Sequence, residues 1–498
     1  MTTISKNTRR DFLRNLGGTL CAGGASAFLP QLNLIGSALA ASSSPGAFTD
    51  YRALVCIYLA GGNDSWNMLM PQDATRHAVY AAARSGVYNA TTNAAGLAID
   101  LPQLTASQIT DSATGKFYAL NPGNPGDTDV HRGMLDLRTL YNAGHVAFLP
   151  NIGTLIRPIT KTEYNSTPAL RPPQLYSHND QENLWQLGQT TESGQGWGGK
   201  VADRVRLDNV NQGLSPCISI AGSNRFQVGA STFPYQMSSG GVSALQGVYN
   251  NAGSTGGTYG AQRAAALDQL LGDSSSSLLQ SEYASVFKRS RDLYDLLSTA
   301  LAANTLTTVF PANNSLADQL KMVARMIKLS RNSAGTVAHK RQIFYVRFGG
   351  FDLHDGLMST GNGGQAILLQ RVSQAMSAFY TALGEIGAGV QNEVTSFTMS
   401  EFARTLASNG NGSDHAWGSV QMVMGGAVNG GRLYGTFPDQ TLNNAISFSR
   451  GQTIPSTSVD QMGATLARWM GVTDSVQLNT IFPNLTNFAT NNLGFMQP

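Results

Sequence analysis

Three short polar clusters combine aspartate with glycine or histidine at the ends of apolar runs or shortly beyond them. They occupy residues 61–64 (GGND), 349–355 (GGFDLHD) and 413–418 (SDHAWG). Aspartate and histidine together bind zinc, manganese or iron, whereas aspartates alone suit magnesium or calcium. Any one cluster is most simply explained as a turn with ordinary polar residues. The three clusters together predict a site for a divalent metal ion.

The side chains that would hold this metal come from all three clusters. A short loop with Asp-x-His or Asp-His supplies an anionic oxygen and an imidazole nitrogen at once, so few loops are needed to complete a metal site. The predicted ligands are Asp64, Asp352, His354, Asp414 and His415.

A fourth polar segment, residues 176–182 (YSHNDQE), precedes an apparent helix. Ser177 has the residue type of a helix N-cap, which is the simpler interpretation. The functional interpretation is a hydroxyl nucleophile that loses its proton to a bound metal. His178 beside it would then be a metal ligand or an acid–base group.

The elements that must position these residues are short strands. Residues 52–59, 342–348 and 394–399 have the composition of strands, and the first two are followed by glycine pairs. Nearly continuous apolar runs of this kind are typical of strands buried in a parallel sheet. Ligands bind to such sheets at the carboxyl ends of the strands, so we expect the polar clusters to converge there.

The remaining pattern predicts an α/β fold with a large, mostly parallel sheet and helices on both faces. Residues 85–130 have little periodicity and are predicted to be irregular, and 222–260 are predicted to be a surface insertion. Further strands are predicted at 146–149, 217–220 and 420–424, and helices at 132–143, 315–329, 368–383 and 459–470, with one or two more across 261–302.

Residues 1–40 have the features of an export signal rather than of a folded segment. Residues 8–14 (TRRDFLR) form a twin-arginine motif, and 38–40 (ALA) fit a cleavage site after Ala40. Such a leader predicts bacterial export by the twin-arginine translocase to the periplasm or the exterior. The alternative is a basic tail. Residues 41–50 are a predicted linker, and 51–498 the folded domain.

Composition excludes several classes of protein. Only 13% of the 498 residues are charged and 54 are glycine, which argues against a coiled coil and against a nucleic-acid binder built on basic patches. The leader alone carries the net charge of +3. The sequence after the leader contains no run of 18 apolar residues, so no stable membrane anchor is predicted. For Cys56 and Cys217 we favour buried free thiols over a bridge between them.

Several segments together resemble the DUF1501 family, exported bacterial proteins that often carry twin-arginine leaders. The resemblance covers roughly residues 50–485. The segments that carry it are GGNDSWNMLMP at 61–71, YSHNDQENLWQLG at 176–188, GWGGKVADR at 196–204, GGFDLH at 349–354, SEFARTLASNGNGSDHAWG at 400–418 and VMGGAVNGG at 423–431.

This family looks like a member of the alkaline phosphatase superfamily, whose enzymes share an α/β/α sandwich with one or two metal ions at the strand ends. By motif, the resemblance implies that Asp64, Asp414 and His415 hold the metal that activates Ser177 as nucleophile. A second metal would lie elsewhere in the site, and further residues would meet the substrate. The residues implied in these roles are Asp352 and His354 for the second metal, Arg404 and Asn63 for the substrate, and Glu401 as a metal ligand or a residue behind one.

The chain departs from that pattern in three places. One residue separates Asp352 from His354 where two-metal members have three, and no histidine follows His415. The second metal would therefore use His178, be loosely held or be absent. The sulfatase motif C-x-P-x-R is also missing, which argues against a formylglycine sulfatase.

The resemblance implies an exported hydrolase of phosphate or sulfate esters. Its cofactor would be one or two divalent ions (zinc, manganese, calcium or magnesium), and its substrate a small or polymeric ester. The alternative from another class is a non-catalytic exported binding or surface protein on the same fold, because fold alone does not fix function.

Overall fold

A computed structural model describes residues 48–124, 128–188, 194–244, 257–272, 278–332 and 337–497. The predicted leader, 1–40, lies outside these residues, as do most of the predicted linker and part of the predicted insertion. The described chain begins at the amino-terminal edge of the main sheet. There Phe48 lies 3.8 Å from the guanidinium of Arg341, and its carbonyl accepts a hydrogen bond from Lys340.

One large sheet dominates the described part of the chain. Its strands are β1 (Arg52–Leu59), β5 (Val146–Gly153), β6 (Cys217–Ser219), β7 (Tyr235–Gln236), β8 (Arg341–Phe348), β9 (Val394–Met399), β10 (Ser419–Met424), β11 (Arg432–Leu433) and β12 (Thr457–Ser458). Along the sheet they follow the order β11-β5-β10-β9-β1-β8-β6-β7, and β12 also pairs with β5. All neighbours are parallel except β10, which is antiparallel to both β5 and β9.

Twelve α-helices lie in the described residues, and the bounds predicted for the principal ones agree within a few positions. They are α1 (Ala74–Ala83), α2 (Leu135–Asn142), α3 (Lys161–Ser166), α4 (His178–Leu187), α5 (Trp197–Val205), α6 (Gly257–Gly272), α7 (Leu278–Ala303), α8 (Ser315–Asn332), α9 (Gln365–Ile386), α10 (Val390–Glu393), α11 (Val459–Trp469) and α12 (Ser475–Ile481).

The central strand β1 is buried on both sides, which explains its continuous apolar run. Successive side chains of a strand point to opposite faces. The odd-numbered residues from Ala53 to Leu59 pack into one core with α2, α8 and α9. The even-numbered residues from Leu54 to Tyr58 pack into another core with α5, α11 and α12. Helices therefore cover both faces of the mostly parallel sheet, as predicted.

Residues 85–130 are not wholly irregular, so that prediction was wrong in part. They contain a 3₁₀ helix at Leu101–Ser107 and two strands, β3 (Gln108–Thr110) and β4 (Phe117–Leu120). These strands form a small antiparallel sheet with β2 (Leu69–Pro71). Strands of three or four residues are too short to show an alternating pattern in the sequence.

The predicted insertion at 222–260 is anchored in the core in its described part. Phe226 is fully buried in the second core, and the Gln227 side chain donates hydrogen bonds to backbone carbonyls of β6 and β8. Strand β7 extends the main sheet from the same segment. Cys56 and Cys217 are buried free thiols. Within the ranges described, no helix combines the length and the apolarity needed to cross a membrane.

The loops that follow β1 and β8 pack backbone against backbone. Gly61 has a φ of +116°, and a Cβ built there would lie 2.3 Å from the amide nitrogen of Asp352. The Phe351 amide also donates a hydrogen bond to the carbonyl of Ala60. Only glycine fits this close approach, so Gly61 is needed for the position of Asp352.

Gly61→Ala should destabilise the protein more than its backbone conformation alone requires. Gly410 is a matched control, because its φ is +118° and nothing lies within 4 Å of a Cβ built there. Gly410→Ala should lower the free energy of unfolding by about 1–3 kcal/mol. Gly61→Ala should lower it further in the same chemical denaturation, since the Asp352 loop must also move. Equal losses in the two variants would contradict the close packing.

Candidate metal centre

The polar clusters meet at the carboxyl ends of three adjacent central strands. Asp352 and His354 follow β8, Glu401 follows β9, and the loop that carries His415 lies beside them. The fourth segment also joins them, because α4 begins at His178. Sequence-distant loops are thus brought together by the order β9-β1-β8, as the sequence predicts.

Three imidazoles surround one carboxylate oxygen. Asp352 Oδ1 lies 3.3 Å from Nε2 of His354 and 3.5 Å from Nε2 of both His178 and His415. One potential ligand atom from each of His178, Asp352 and His415 lies within 4.8 Å of the others. We call these three residues, together with His354, the histidine–aspartate cluster. The Asp352 side chain is 49% exposed, so the cluster is open to solvent.

Each imidazole of the cluster uses its other nitrogen for a hydrogen bond behind the site. Nδ1 of His178 lies 2.8 Å from Glu401 Oε1, and Nδ1 of His354 lies 2.9 Å from Asp414 Oδ1. Nδ1 of His415 lies 2.8 Å from the backbone carbonyl of Tyr176. A carbonyl or an ionised carboxylate only accepts, so each Nδ1 donates. In a neutral imidazole this leaves the Nε2 lone pair for a metal.

The Nε2 atoms of His354 and His415 are only 2.9 Å apart. With both Nδ1 atoms protonated, two neutral rings would point lone pairs at each other. A proton or a metal cation shared by the two nitrogens removes this repulsion. The donor set therefore fits a metal ion. The buried ring of Phe402 packs against His415 at 4.4 Å and His178 at 4.8 Å between centroids, which restricts both rings.

Two acids of the site, Asp352 and Asp414, have lowered pKa values. Burial alone would raise the pKa of Asp352, but Arg404 and the neighbouring imidazoles lower it below its usual value. Burial acts in the same direction on Asp414, but hydrogen bonds from Asn409, His354 and Arg450 lower its pKa to about 2.

The two imidazoles with shifted pKa values differ from each other. The hydrogen bond to Glu401 raises the pKa of His178, whereas burial lowers the pKa of His415. At neutral pH a cation placed among these groups would thus meet a carboxylate and at least one neutral ring.

Arg404 connects the loops of the site through hydrogen bonds. Its side chain is fully buried and forms an ion pair with Asp352. Its N–H groups also donate to backbone carbonyls of three loops through bonds between 3.0 and 3.2 Å long, and Nη1 lies 3.3 Å from Nε2 of His354. These carbonyls belong to Gly61, Gly62, Phe351 and Ser413. Arg404 thus orients the cluster. Its side chain has no exposed surface with which to make the predicted contact with substrate.

Comparison with known proteins places the chain in a family. Residues 51–477 match the family described as "Protein of unknown function (DUF1501)". The chain belongs to the DUF1501 family. No curated protein matches it.

Seven solved chains match this DUF1501 protein. Among them is the crystal structure of Ps i-CgsB in complex with k-i-k-neocarrahexaose, which is 9% identical with a TM-score of 0.35. The match covers 89% of the present chain and 77% of the other. At this TM-score the similarity supports no inference about fold or activity.

In this DUF1501 protein Asp64 has a partner other than the histidines. It forms an ion pair with Arg84, and both side chains are buried. Arg84 also donates hydrogen bonds to the carbonyls of Thr405 and Leu406. Asp64, predicted to be a metal ligand, is therefore committed to a buried pair that holds the chain just beyond Arg404.

Ser177 and Asn63 also have partners outside the cluster. Ser177 precedes the first residue of α4, and its Oγ donates to Asp180 Oδ2 at 2.5 Å. Asn63 is 1% exposed, and its side chain bonds to Met68 and Gln365. Asn63 therefore has almost no exposed surface with which to make the predicted contact with substrate.

Sequence reasoning missed the residues that support the cluster from outside the motifs. Arg450 pairs with Asp414, and Tyr58 donates a 3.2 Å hydrogen bond to Glu401. Tyr58 lies within the apolar run of β1, where a tyrosine is ordinary. Arg450 lies in a loop without any motif, so no sequence signal pointed to either one.

Asp64→Asn should leave metal content unchanged, because Asp64 is paired with Arg84 rather than with the cluster. Arg84→Met should lower the free energy of unfolding by about 3–5 kcal/mol, since it leaves a buried charge unpaired. The double variant should recover part of this loss. The partly exposed pair of Arg157 and Glu163, whose side chains are 39% and 35% exposed, provides a control, with an expected loss of about 0–1 kcal/mol for Arg157→Met. Loss of metal in Asp64→Asn would restore Asp64 as a ligand.

Proposed function

We propose that this protein is an exported metal-dependent hydrolase of phosphate or sulfate esters that acts at the histidine–aspartate cluster. The observation that carries the proposal is the convergence of three imidazole Nε2 atoms on one oxygen of Asp352. Clusters of this composition bind divalent transition metals, which are common in hydrolases. The cluster is open to solvent, as a site for an ester substrate must be.

The fold and the leader support this proposal. A site at the carboxyl ends of the central strands, on a mostly parallel sheet covered by helices, is compatible with an alkaline phosphatase-like fold. The twin-arginine motif at residues 8–14 and the cleavage site after Ala40 favour export to the periplasm or beyond. The translocase would then be a transient partner.

A divalent ion bound here would act as a Lewis acid on the ester and would favour a deprotonated nucleophile. Asp352 contributes the anionic charge of the cluster, and Arg404 fixes its position. Ser177 is the proposed nucleophile. Its Oγ would form a bond to phosphorus or sulfur as the ester oxygen leaves, and Asp180 is placed to accept the hydroxyl proton. Water would then release the acid and restore the hydroxyl.

One observation favours the alternative, a non-catalytic binding protein on the same fold. Because Asp64 is paired with Arg84, one of the two metal positions implied by the family resemblance lacks one of its two aspartates. That protein would fold normally and would cleave no ester, even with zinc or manganese added.

His354→Ala and His415→Ala should each abolish stoichiometric metal binding and lower ester turnover at least about 100-fold, because each removes a ligand. The assay would use elemental analysis and p-nitrophenyl phosphate and sulfate as substrates. His131→Ala is the control, because His131 is exposed and contacts Asp136 outside the cluster. Metal content unchanged in both variants would refute the site. Metal without turnover in the unmutated protein would favour the alternative.

Ser177→Ala should abolish turnover and leave metal content unchanged, because Ser177 is a nucleophile and not a ligand in this proposal. Asp180→Asn should slow the first step by about 10²–10⁴-fold, as expected for removal of a general base. Single-turnover kinetics would separate the two effects. Full turnover in Ser177→Ala would show that water, and not this hydroxyl, attacks the ester.

A further inference from the structure

Glu401 is built to orient His178 rather than to bind a metal. Its side chain is 2% exposed. Oε1 accepts hydrogen bonds from His178 Nδ1 and from the Gly61 amide, both at 2.8 Å, and Oε2 accepts one from Tyr58. The carboxylate is therefore fixed from three sides. It lies behind the imidazole, on the side away from the Nε2 atom that enters the cluster.

Asp414 has the same relation to His354. Its Oδ1 accepts from His354 Nδ1 at 2.9 Å and from Asn409 at 3.0 Å, and its Oδ2 pairs with Arg450. The two nitrogens of an imidazole lie on opposite edges of the ring. A carboxylate on Nδ1 is thus placed to fix the tautomer, while Nε2 of the same ring faces the cluster.

These placements leave one carboxylate among the potential ligands. Asp64 is buried against Arg84, and Glu401 and Asp414 lie behind histidines. Asp352 is also paired, with Arg404, but its side chain is 49% exposed and its Oδ1 faces the three Nε2 atoms. Magnesium and calcium take six or more oxygen ligands, whereas three imidazoles and one carboxylate suit a transition metal.

We propose that the histidine–aspartate cluster is a single-ion, transition-metal centre in which Glu401 and Asp414 are positioning residues that hold the Nε2 atoms of His178 and His354 towards the ion. The carbonyl of Tyr176 does the same for His415. This inference deepens the proposed function and rests on the same site, but it concerns metal binding and not turnover.

The test is titration of the metal-stripped full-length protein with cobalt(II), followed by visible absorption. The unmutated protein should bind one equivalent. Glu401→Gln keeps an oxygen for His178 but loses the charge, and it should weaken cobalt affinity about 10- to 100-fold without changing the stoichiometry. Asp414→Asn should do the same. Asp136→Asn is the control, because Asp136 makes a matching 2.7 Å contact with His131 Nδ1 elsewhere; it should leave cobalt affinity unchanged.

Three results would overturn the inference. Two equivalents in the unmutated protein with one lost in Asp414→Asn would make Asp414 the ligand of a second ion. Unchanged cobalt affinity in Glu401→Gln would mean that the Glu401 carboxylate does not affect how the ion is bound. Displacement of cobalt by equimolar calcium or magnesium would contradict the ligand set.

Two comparisons keep these outcomes distinct from other effects. The unfolding temperature of each metal-free variant would separate loss of orientation from loss of fold, and Glu401→Gln alone decides the matter if Asp414→Asn does not fold. One bound ion without ester cleavage would refute the proposed function and leave this inference standing. Ester cleavage that requires two bound ions would refute this inference and leave the proposed function standing.

Discussion

The site depends on the burial of a single guanidinium. Arg404 donates to carbonyls of the loops after β1 and β8 and of the loop that carries Asp414 and His415, and it neutralises Asp352 from the protein side. Buried carbonyls and a buried cation are both costly without partners, and here each satisfies the other. Three loops that approach from different parts of the chain thus gain one fixed geometry. Removing this side chain would take a hydrogen-bond donor away from each of those carbonyls.

The cluster is polar where it faces solvent and closely held where it meets the core. Every imidazole is fixed at its rear by an acceptor, and two of the rings pack on Phe402. The two carboxylate acceptors, Glu401 and Asp414, are fixed in turn by Tyr58, the Gly61 amide, Asn409 and Arg450. A site of this kind is organised before any ligand arrives, so little rearrangement would accompany binding.

Much of this arrangement was predictable from sequence, because it follows from local pattern. The apolar runs gave the central strands within one or two residues, and α8 and α9 bury the faces that their periodicity indicated. The residue types at 352, 354 and 415 indicated the cluster. The partners of Asp64 and Asp414 were not predictable, because Arg84 and Arg450 come from segments without motifs and reach the site only through the tertiary fold. A sequence motif can identify an aspartate, but it cannot distinguish one that faces a metal from one that faces an arginine.

The direction of β1 places the start of the described chain and the histidine–aspartate cluster at opposite ends of this strand. Its eight residues span about 26 Å, with Phe48 near the start and the cluster beyond the end. A leader ending at the predicted site after Ala40 would therefore be attached at the end of the strands remote from the proposed metal centre, and its removal would not be needed to complete that centre.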